Sequence, residues 1–433
     1  MSRLWLVCLP LIFLPNLGYA TATPFGVLEL SDYVVVLYLL VLVFCRRVRY
    51  RSVASTLRPL LLGFVAWAFF VTFLINVRYR YDDAFMIQFA LLKLAKLSMY
   101  ILAGAATVSA LRGVRNRQQY LWSLLAAGVV SAGSLIATGN SSTASKAAVL
   151  EGFKTTNAIS VLLSILGCYL AGLWLSGHGS TKWRGATVLT LGLILAGSAT
   201  SSGRGGWLGG IAGILYVLYR GGFKWKSVVL LGVLALGIAF SYVRLPEFRK
   251  RVEKTLNPDF IFLTKYHVGI KGLDDGGRFS ILLLSLPSVI DSPLLGRGFY
   301  HRGEAAGISK TGSHNFFLQM FLETGIVGGF MVLAIFFRLW RQAGAPASQR
   351  ATLEIPLRAA LLAAIVGGLS GEYFYGGVVL FSLFAVYAPV GALRLGRERA
   401  PSAVPHRLFR RKPRVQAVSQ IAASSFNITL LDW

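Results

Sequence analysis

Apolar runs that reach or approach the length of a membrane span recur from one end of this 433-residue chain to the other. They lie at 4–20, 27–45, 59–76, 84–111, 120–137, 157–176, 185–200, 207–219, 227–242, 315–337, 359–371 and 377–393. A straight span takes about 20 residues, and about 17 is the lower limit. The pattern predicts an all-α polytopic membrane protein with about 12 transmembrane helices. The runs at 185–200 and 207–219 are short, which predicts tilt or extension by the polar residues between them. The run at 359–371 is short enough to be re-entrant. Composition agrees: 14% of residues are charged, where a soluble domain carries about 25%. A single soluble domain and a disordered chain are both excluded.

The net charge is +27. In a soluble protein that excess would suggest nucleic acid, but no nucleic-acid module is visible and no nucleic-acid partner is expected. The basic residues sit mostly in short segments between apolar runs, where they meet anionic membrane lipids. With the N-terminus inside, the inner loops 46–58, 112–117, 177–184, 220–226 and 338–358 hold 17 Lys and Arg. The short outer loops 21–26, 77–83, 138–156, 201–206 and 372–376 hold 5. That asymmetry predicts cytoplasmic N- and C-termini. The chain then divides into spans one to nine (1–242), a long outer loop (243–313), spans ten to twelve (314–393) and a basic tail (394–433). Within the long loop, F-S-I-L-L-L-S-L-P-S-V-I at 279–290 reads as a helix lying on the membrane surface. Arg3, a short apolar run and A-T-A at 20–22 resemble a secretory signal with its cleavage site; the other reading is an uncleaved first helix.

Three cysteines, Cys8, Cys45 and Cys168, lie in or beside apolar stretches without a C-x-x-C pair. They read as small buried hydrophobes. No G-x-x-x-x-G-K-[ST] loop is present, so no nucleotide site is supported.

The topology gathers polar groups at the outer face. Arg204 lies in S-S-G-R-G-G-W between two short spans. Arg278 lies in D-D-G-G-R-F-S, in the long loop. His314 lies in G-S-H-N-F-F, where the loop meets the next span. Ser313 or its neighbour would cap that helix. Lys146 and Lys154 flank another outer span start and are placed for contact with phosphate or glycan by sidedness alone. Each has a plain alternative: an arginine at this level commonly snorkels to lipid phosphate, and a histidine at a helix start is commonly structural. Asp82–Asp83 and Asp274–Asp275 are acidic pairs that read as solvated or paired with nearby arginines, so no metal site is expected. Lys93, Lys96 and Glu323 are charges within spans. Counted at about 1.5 Å per residue, Lys93 and Glu323 lie at similar depths, which allows them to pair.

The segment H-N-F-F-L-Q-M-F-L-E-T-G-I-V-G, residues 314–328, resembles the signature of the O-antigen ligase superfamily: His, an amide, nine residues, Gly, two residues, a small residue. S-G-R-G-G-W-L-G-G resembles that family's earlier arginine motif. G-G-R-F-S followed by D-S-P-L-L-G-R-G-F resembles its long periplasmic loop with a second arginine. The resemblance covers 185–340 and implies a GT-C-like transferase of the bacterial inner membrane with a periplasmic active site. It implies an undecaprenyl-pyrophosphate-linked glycan as donor and lipid A–core or another glycan as acceptor. It places the family histidine at His314 and the arginines at Arg204 and Arg278, with Asn315 beside them as a substrate-binding amide. No cofactor is implied.

The chemistry suits those residue types. Departure of a pyrophosphate develops negative charge, which a planar guanidinium holds bidentately. A sugar hydroxyl is a poor nucleophile, and an imidazole is a suitable general base. The expectation is metal-independent, inverting transfer, with His314 as base and Arg204 and Arg278 on the pyrophosphate. Within the family, a polymerase that extends the glycan is the alternative to the ligase. Outside it stands a transporter for lipid-linked sugar, which would more often show broken helices and polar groups near the midplane.

Overall fold

A computed structural model of the chain describes residues 8, 10–12, 20–23, 26–44, 57–79, 84–111, 114–138, 156–177, 180–201, 203–222, 224–244, 246–256, 278–299, 313, 315–344, 351–371 and 378–397. Each apolar run from 27 onward coincides with a described helix; the run at 4–20 and the tail beyond 397 lie mainly or wholly outside the described residues. In chain order the elements are strands β1 (Ala20–Thr23) and β2 (Gly26–Glu29), then helices α1 (Leu30–Phe44), α2 (Arg58–Tyr79), α3 (Ala84–Ala110), α4 (Val114–Thr138) and α5 (Thr156–Leu175). There follow α6 (Thr181–Ser201), α7 (Arg204–Gly221), α8 (Trp225–Arg244), α9 (Pro246–Leu256), α10 (Arg278–Asp291), α11 (Phe316–Ala343), α12 (Ala351–Leu369) and α13 (Val378–Arg397).

Five of the described helices are long and apolar enough to cross a membrane, and three shorter apolar stretches lie at Asp32–Val41, Pro59–Ile75 and Val379–Ala388. The chain is a predominantly helical, polytopic membrane protein. One departure from helix is the hairpin of β1 and β2, paired antiparallel with Thr23 opposite Gly26. It occupies the segment read from sequence as a cleavage-site-like stretch and a short loop. Its strands pair their backbone groups with each other, and α1 begins directly after them.

The short runs gain length at their polar ends. Thr181–Ser201 and Arg204–Gly221 extend 185–200 and 207–219. The run at 359–371 is not re-entrant. It belongs to the 19-residue helix α12, which starts at Ala351. Glu354 and Arg358 made its first turns look like loop, but they pair with each other one turn apart at 2.7 Å, and Arg220 at the end of α7 lies 3.6 Å from Glu354. Arg358 also covers the Trp340 ring at 5.0 Å. Charged side chains that answer one another sit readily in a helix end at the membrane boundary.

Helix α5 is the centre. Some 94% of its apolar window is buried, against 17% for α8, which flanks the bundle. Around α5 pack α7 and α12. Glycines 206, 209, 210 and 213 line the face of α7 that meets them. A Cβ at Gly209 would stand 2.5 Å from the Ala363 carbonyl oxygen of α12, and one at Gly206 or Gly213 would overlap Ser160 or Cys168 of α5. Helices meet this closely in lipid because small residues let backbones touch. The contact is also hydrogen-bonded. Ser160, Ser164 and Cys168, one turn apart on α5, donate to the carbonyls of Gly203 (3.1 Å), Gly206 (2.5 Å) and Gly210 (3.5 Å).

Those contacts set direction. Residues 160, 164 and 168 meet 203, 206 and 210 in the same order, so α5 and α7 are parallel. Gly209 and Gly213 meet Ala363 and Ala359, so α12 is antiparallel to both. The ends of α7 and α11 lie together, with Tyr216 and Trp340 rings 5.8 Å apart. Helices α5, α7 and α11 thus begin at one face, the face that the charge count assigns to the outside.

The interface predicts unequal losses. Ser164→Ala removes one interhelical hydrogen bond and is expected to cost about 0.6 kcal/mol. Gly209→Val forces branched carbons against a carbonyl and is expected to cost about 1–3 kcal/mol or more. Unfolding of the detergent-solubilised variants measures both; equal losses would contradict the close-packing account.

Candidate active site

Arg204 is the first residue of α7, directly after its N-cap Gly203. Gly203 has no side chain to cap with, and its carbonyl takes the Ser160 hydroxyl of α5. The junction is fastened from two other sides. Trp207 Nε1 donates to the Ser198 carbonyl at 2.9 Å, meeting an acceptor at the end of α6 that the helix itself leaves open. The Trp207 ring packs against Phe248 of α9, with centroids 4.2 Å apart and the planes tilted by 42°. Phe248 is 3% exposed, so this otherwise polar helix docks on the arginine motif through one aromatic anchor. Elsewhere on α9 the exposed pair Arg249–Glu253 holds the Glu253 carboxyl below its usual range, through hydrogen bonds from Arg249 and Tyr242.

The start of α11 is built from polar groups that satisfy one another. Asn315 is its N-cap: Oδ1 accepts from the Leu318 amide at 3.1 Å. The Ser313 hydroxyl donates to the Asn315 carbonyl at 2.8 Å. The Ser313 amide donates to Gln319 Oε1 at 2.9 Å, and Gln319 Nε2 donates to Glu323 Oε1 at 2.7 Å. Ser313, Asn315, Gln319 and Glu323 are all buried. A chain of hydrogen bonds therefore ties the residues on both sides of position 314 to the helix interior. The capping role expected of Ser313 or its neighbour falls to Asn315.

Helix α11 is interrupted at Gly325, whose φ of 65° and ψ of −172° are open almost solely to glycine. The turn after α10, read in the sequence as D-S-P-L-L-G-R-G-F, fits into this break. Arg297 and Gly298 amides donate to the Leu322 and Glu323 carbonyls at 2.8 and 2.9 Å, and the Ile326 amide donates to the Pro293 carbonyl at 2.7 Å. Trp67 Nε1 of α2 takes the Thr324 carbonyl at 2.8 Å. The Phe299 amide donates to Thr72 Oγ1, also on α2. A broken helix within a membrane protein must have its freed backbone groups answered, and here protein answers them.

Three further charged side chains are buried in the bundle. Lys96 pairs with Asp32 at 2.5 Å, and Tyr100 donates to the same carboxylate at 2.9 Å, all three buried. Lys93, one turn earlier, lines an apolar cavity with Phe299, Phe316 and Met320. Lys96 is thus tied to α1, while Glu323 accepts from Gln319.

The backbone of Arg204 and Arg278 is described, each opening a helix, but their side chains are not. His314, Lys146 and Lys154 lie outside the described residues, as do both acidic pairs. Among the described residues no group of three His, Cys, Asp or Glu side chains could hold a metal ion.

Residues 186–333 match the model of a family described as O-antigen ligase. That stretch of the chain is similar to the O-antigen ligase family. The matched stretch runs from α6 through the break in α11 and contains Arg204, Arg278 and His314 in the expected order. Its helix α7 is held by α5 and α12, which lie outside the matched stretch, so flanking helices complete its packing. The family supports a glycosyltransferase of the O-antigen ligase or polymerase type, acting on a lipid-linked glycan and a glycan acceptor. No curated protein matches the chain.

Sequence reasoning missed three parts of this assembly. The serine ladder of α5 could have been found as S-x-x-x-S-x-x-x-C facing a glycine-rich helix. The Gln319–Glu323 pair was visible as two polar residues one turn apart in an apolar run. The break at Gly325 had no local cue, because its hydrogen-bond partners come from thirty residues away.

Proposed function

We propose that this protein is an O-antigen ligase that moves a glycan from undecaprenyl pyrophosphate to a sugar hydroxyl of lipid A–core, at the periplasmic face of the inner membrane. The observation that carries the reading is the family match over 186–333, which contains all three candidate residues. The helix starts bearing Arg204 and Asn315 at a common face support it. In this reading Arg204 and Arg278 hold the pyrophosphate, and their guanidiniums take the negative charge that grows as the glycosyl bond breaks. His314 removes the proton of the acceptor hydroxyl, and the hydroxyl oxygen displaces pyrophosphate in one step with inversion. Asn315, beyond its capping role, and Lys146 and Lys154 line the approach of substrate.

Two arginines supply the positive charge that a divalent ion brings elsewhere. Transfer by the purified protein is therefore expected to continue at an unchanged rate in EDTA, and loss of activity restored by Mg²⁺ would contradict this.

The deciding experiment is a gel of the surface glycan from cells lacking the protein. Loss of the whole polymer from lipid A–core, with polymer accumulating on its carrier, identifies a ligase. A single repeat left on the core identifies a polymerase. The broken helix α11 is a feature that transporters use, but here its freed groups are bonded by the 293–298 turn and Trp67. A transporter would form no new glycosidic bond when donor and acceptor are mixed with it in detergent.

A further inference from the structure

We propose that Gly296 and Gly325 are positioning residues: they allow the turn at 292–298 to lock into the break of α11, so that the segment opened by Arg278 and the segment opened by Asn315 behave as one rigid body. The proposal rests on the functional reading above for its catalytic consequence, and on geometry alone for the lock itself.

Both glycines have left-handed φ, 68° at Gly296 and 65° at Gly325. They also stand against each other. A Cβ on Gly296 would lie 2.5 Å from the Gly325 amide nitrogen and 2.7 Å from the Glu323 carbonyl oxygen. A Cβ on Gly325 would overlap the Leu294 carbonyl. Neither position accepts a side chain without parting the two segments. The three backbone hydrogen bonds across the joint all lie within four residues of Gly325. Side-chain donors and acceptors from α2 close it from behind, Trp67 on Thr324 and Thr72 on Phe299.

The joint lies far from the residues it would position, and that distance gives it leverage. Asn315 is ten residues from Gly325, or about 15 Å along a helix. Arg278 is thirteen residues from Asp291, or about 20 Å. A tilt of ten degrees at the joint would displace the far end of α10 by about 3 Å over that length. Misplacement by about 1 Å can cost a hundredfold in rate. Along the chain, thirteen residues lie between Phe299 and Ser313. The backbone joint is the shorter connection.

The test uses the full-length protein in nanodiscs, with the native cysteines replaced by alanine and spin labels on Leu286→Cys and Phe330→Cys. Both positions are exposed, one on α10 and one on α11. The unaltered joint should give one narrow distance distribution. Gly325→Ala should broaden it and lower kcat at least 100-fold, while the acceptor KM stays within about threefold. Trp67→Phe, a milder change that leaves the Thr324 carbonyl without its donor, should broaden the distribution and lower kcat about tenfold. It decides the matter should Gly325→Ala not accumulate. Gly133→Ala, in open space on α4, is the control and should change neither reading. Unchanged distances, or broadened distances with kcat intact, overturn the proposal. Absence of transfer in the unaltered protein sinks the functional reading instead, and the distance measurement then still judges the joint.

Discussion

Arg204→Ala and Arg278→Ala are each expected to lower glycan transfer about 10²–10³-fold, the loss seen when one preorganised charge-stabilising donor is removed. His314→Ala is expected to lose about 10²–10⁴-fold, the usual worth of a general base. Protein levels should hold. Arg204 starts a helix whose backbone is secured by Ser160, Trp207 and the glycine contacts, none of which needs the guanidinium. The arginine-to-lysine variants separate charge from shape. If pyrophosphate is gripped bidentately, lysine should recover only part of the rate, because an ammonium is a point charge without the planar fork. Full recovery with lysine would reduce both residues to general electrostatic attraction. Normal transfer in His314→Ala would refute the base assignment while leaving the family similarity of residues 186–333 untouched. The assay is in vitro transfer from a lipid-linked donor, with product counted as a new band on the acceptor.

Asp32→Ala is expected to destabilise the protein by about 3–5 kcal/mol, since it takes the paired carboxylate away from the buried Lys96 charge. The Tyr100 hydroxyl would lose its acceptor as well. Lys96→Met should do comparable harm by taking away the ammonium that balances the buried carboxylate. The pair Asp32→Leu with Lys96→Met removes both charges, and is expected to recover most of the loss or to exceed the native stability, as buried ion pairs often yield to apolar replacements of similar size. Thermal unfolding in detergent reads all three. If the double variant is as unstable as the singles, the pair contributes through more than its own charge balance. Transfer by a stable double variant tells whether it also serves the reaction: unchanged kcat confines it to joining α1 to α3.

The two tests concern charges of different origin. Asp32 is in the first turn of α1, immediately behind the β-hairpin. Lys96 is thirteen residues into α3. Sequence spacing put Lys93 and Lys96 on one helix face and depth allowed Lys93 to meet Glu323, but neither had the means to find Asp32 beside Lys96. Depth is a one-dimensional coordinate. Which helix stands beside which is a lateral question, answered by packing of side chains that lie far apart in the chain.

What the residues alone decided was the class of molecule, and the basic loops carry the expectation of its sidedness. Apolar runs of span length force helices, because backbone polar groups in lipid must bond within their own segment. Lys and Arg then orient the loops. The parallel start of α5, α7 and α11 at one face agrees with that count. The resemblance to the O-antigen ligase signature singled out Arg204, Arg278, His314 and Asn315 as the candidates on which the proposed site rests. Tertiary structure alone decided how those motifs are held. Ser160 reaches the carbonyl before Arg204, Trp207 finds Phe248, and the turn at 293–298 enters the gap at Gly325. Each of these joins groups from separate helices, and a hydrogen bond or a glycine contact of that kind leaves no periodic trace in either segment. Periodicity reports what one helix must hide, while a joint between two helices depends on both surfaces at once.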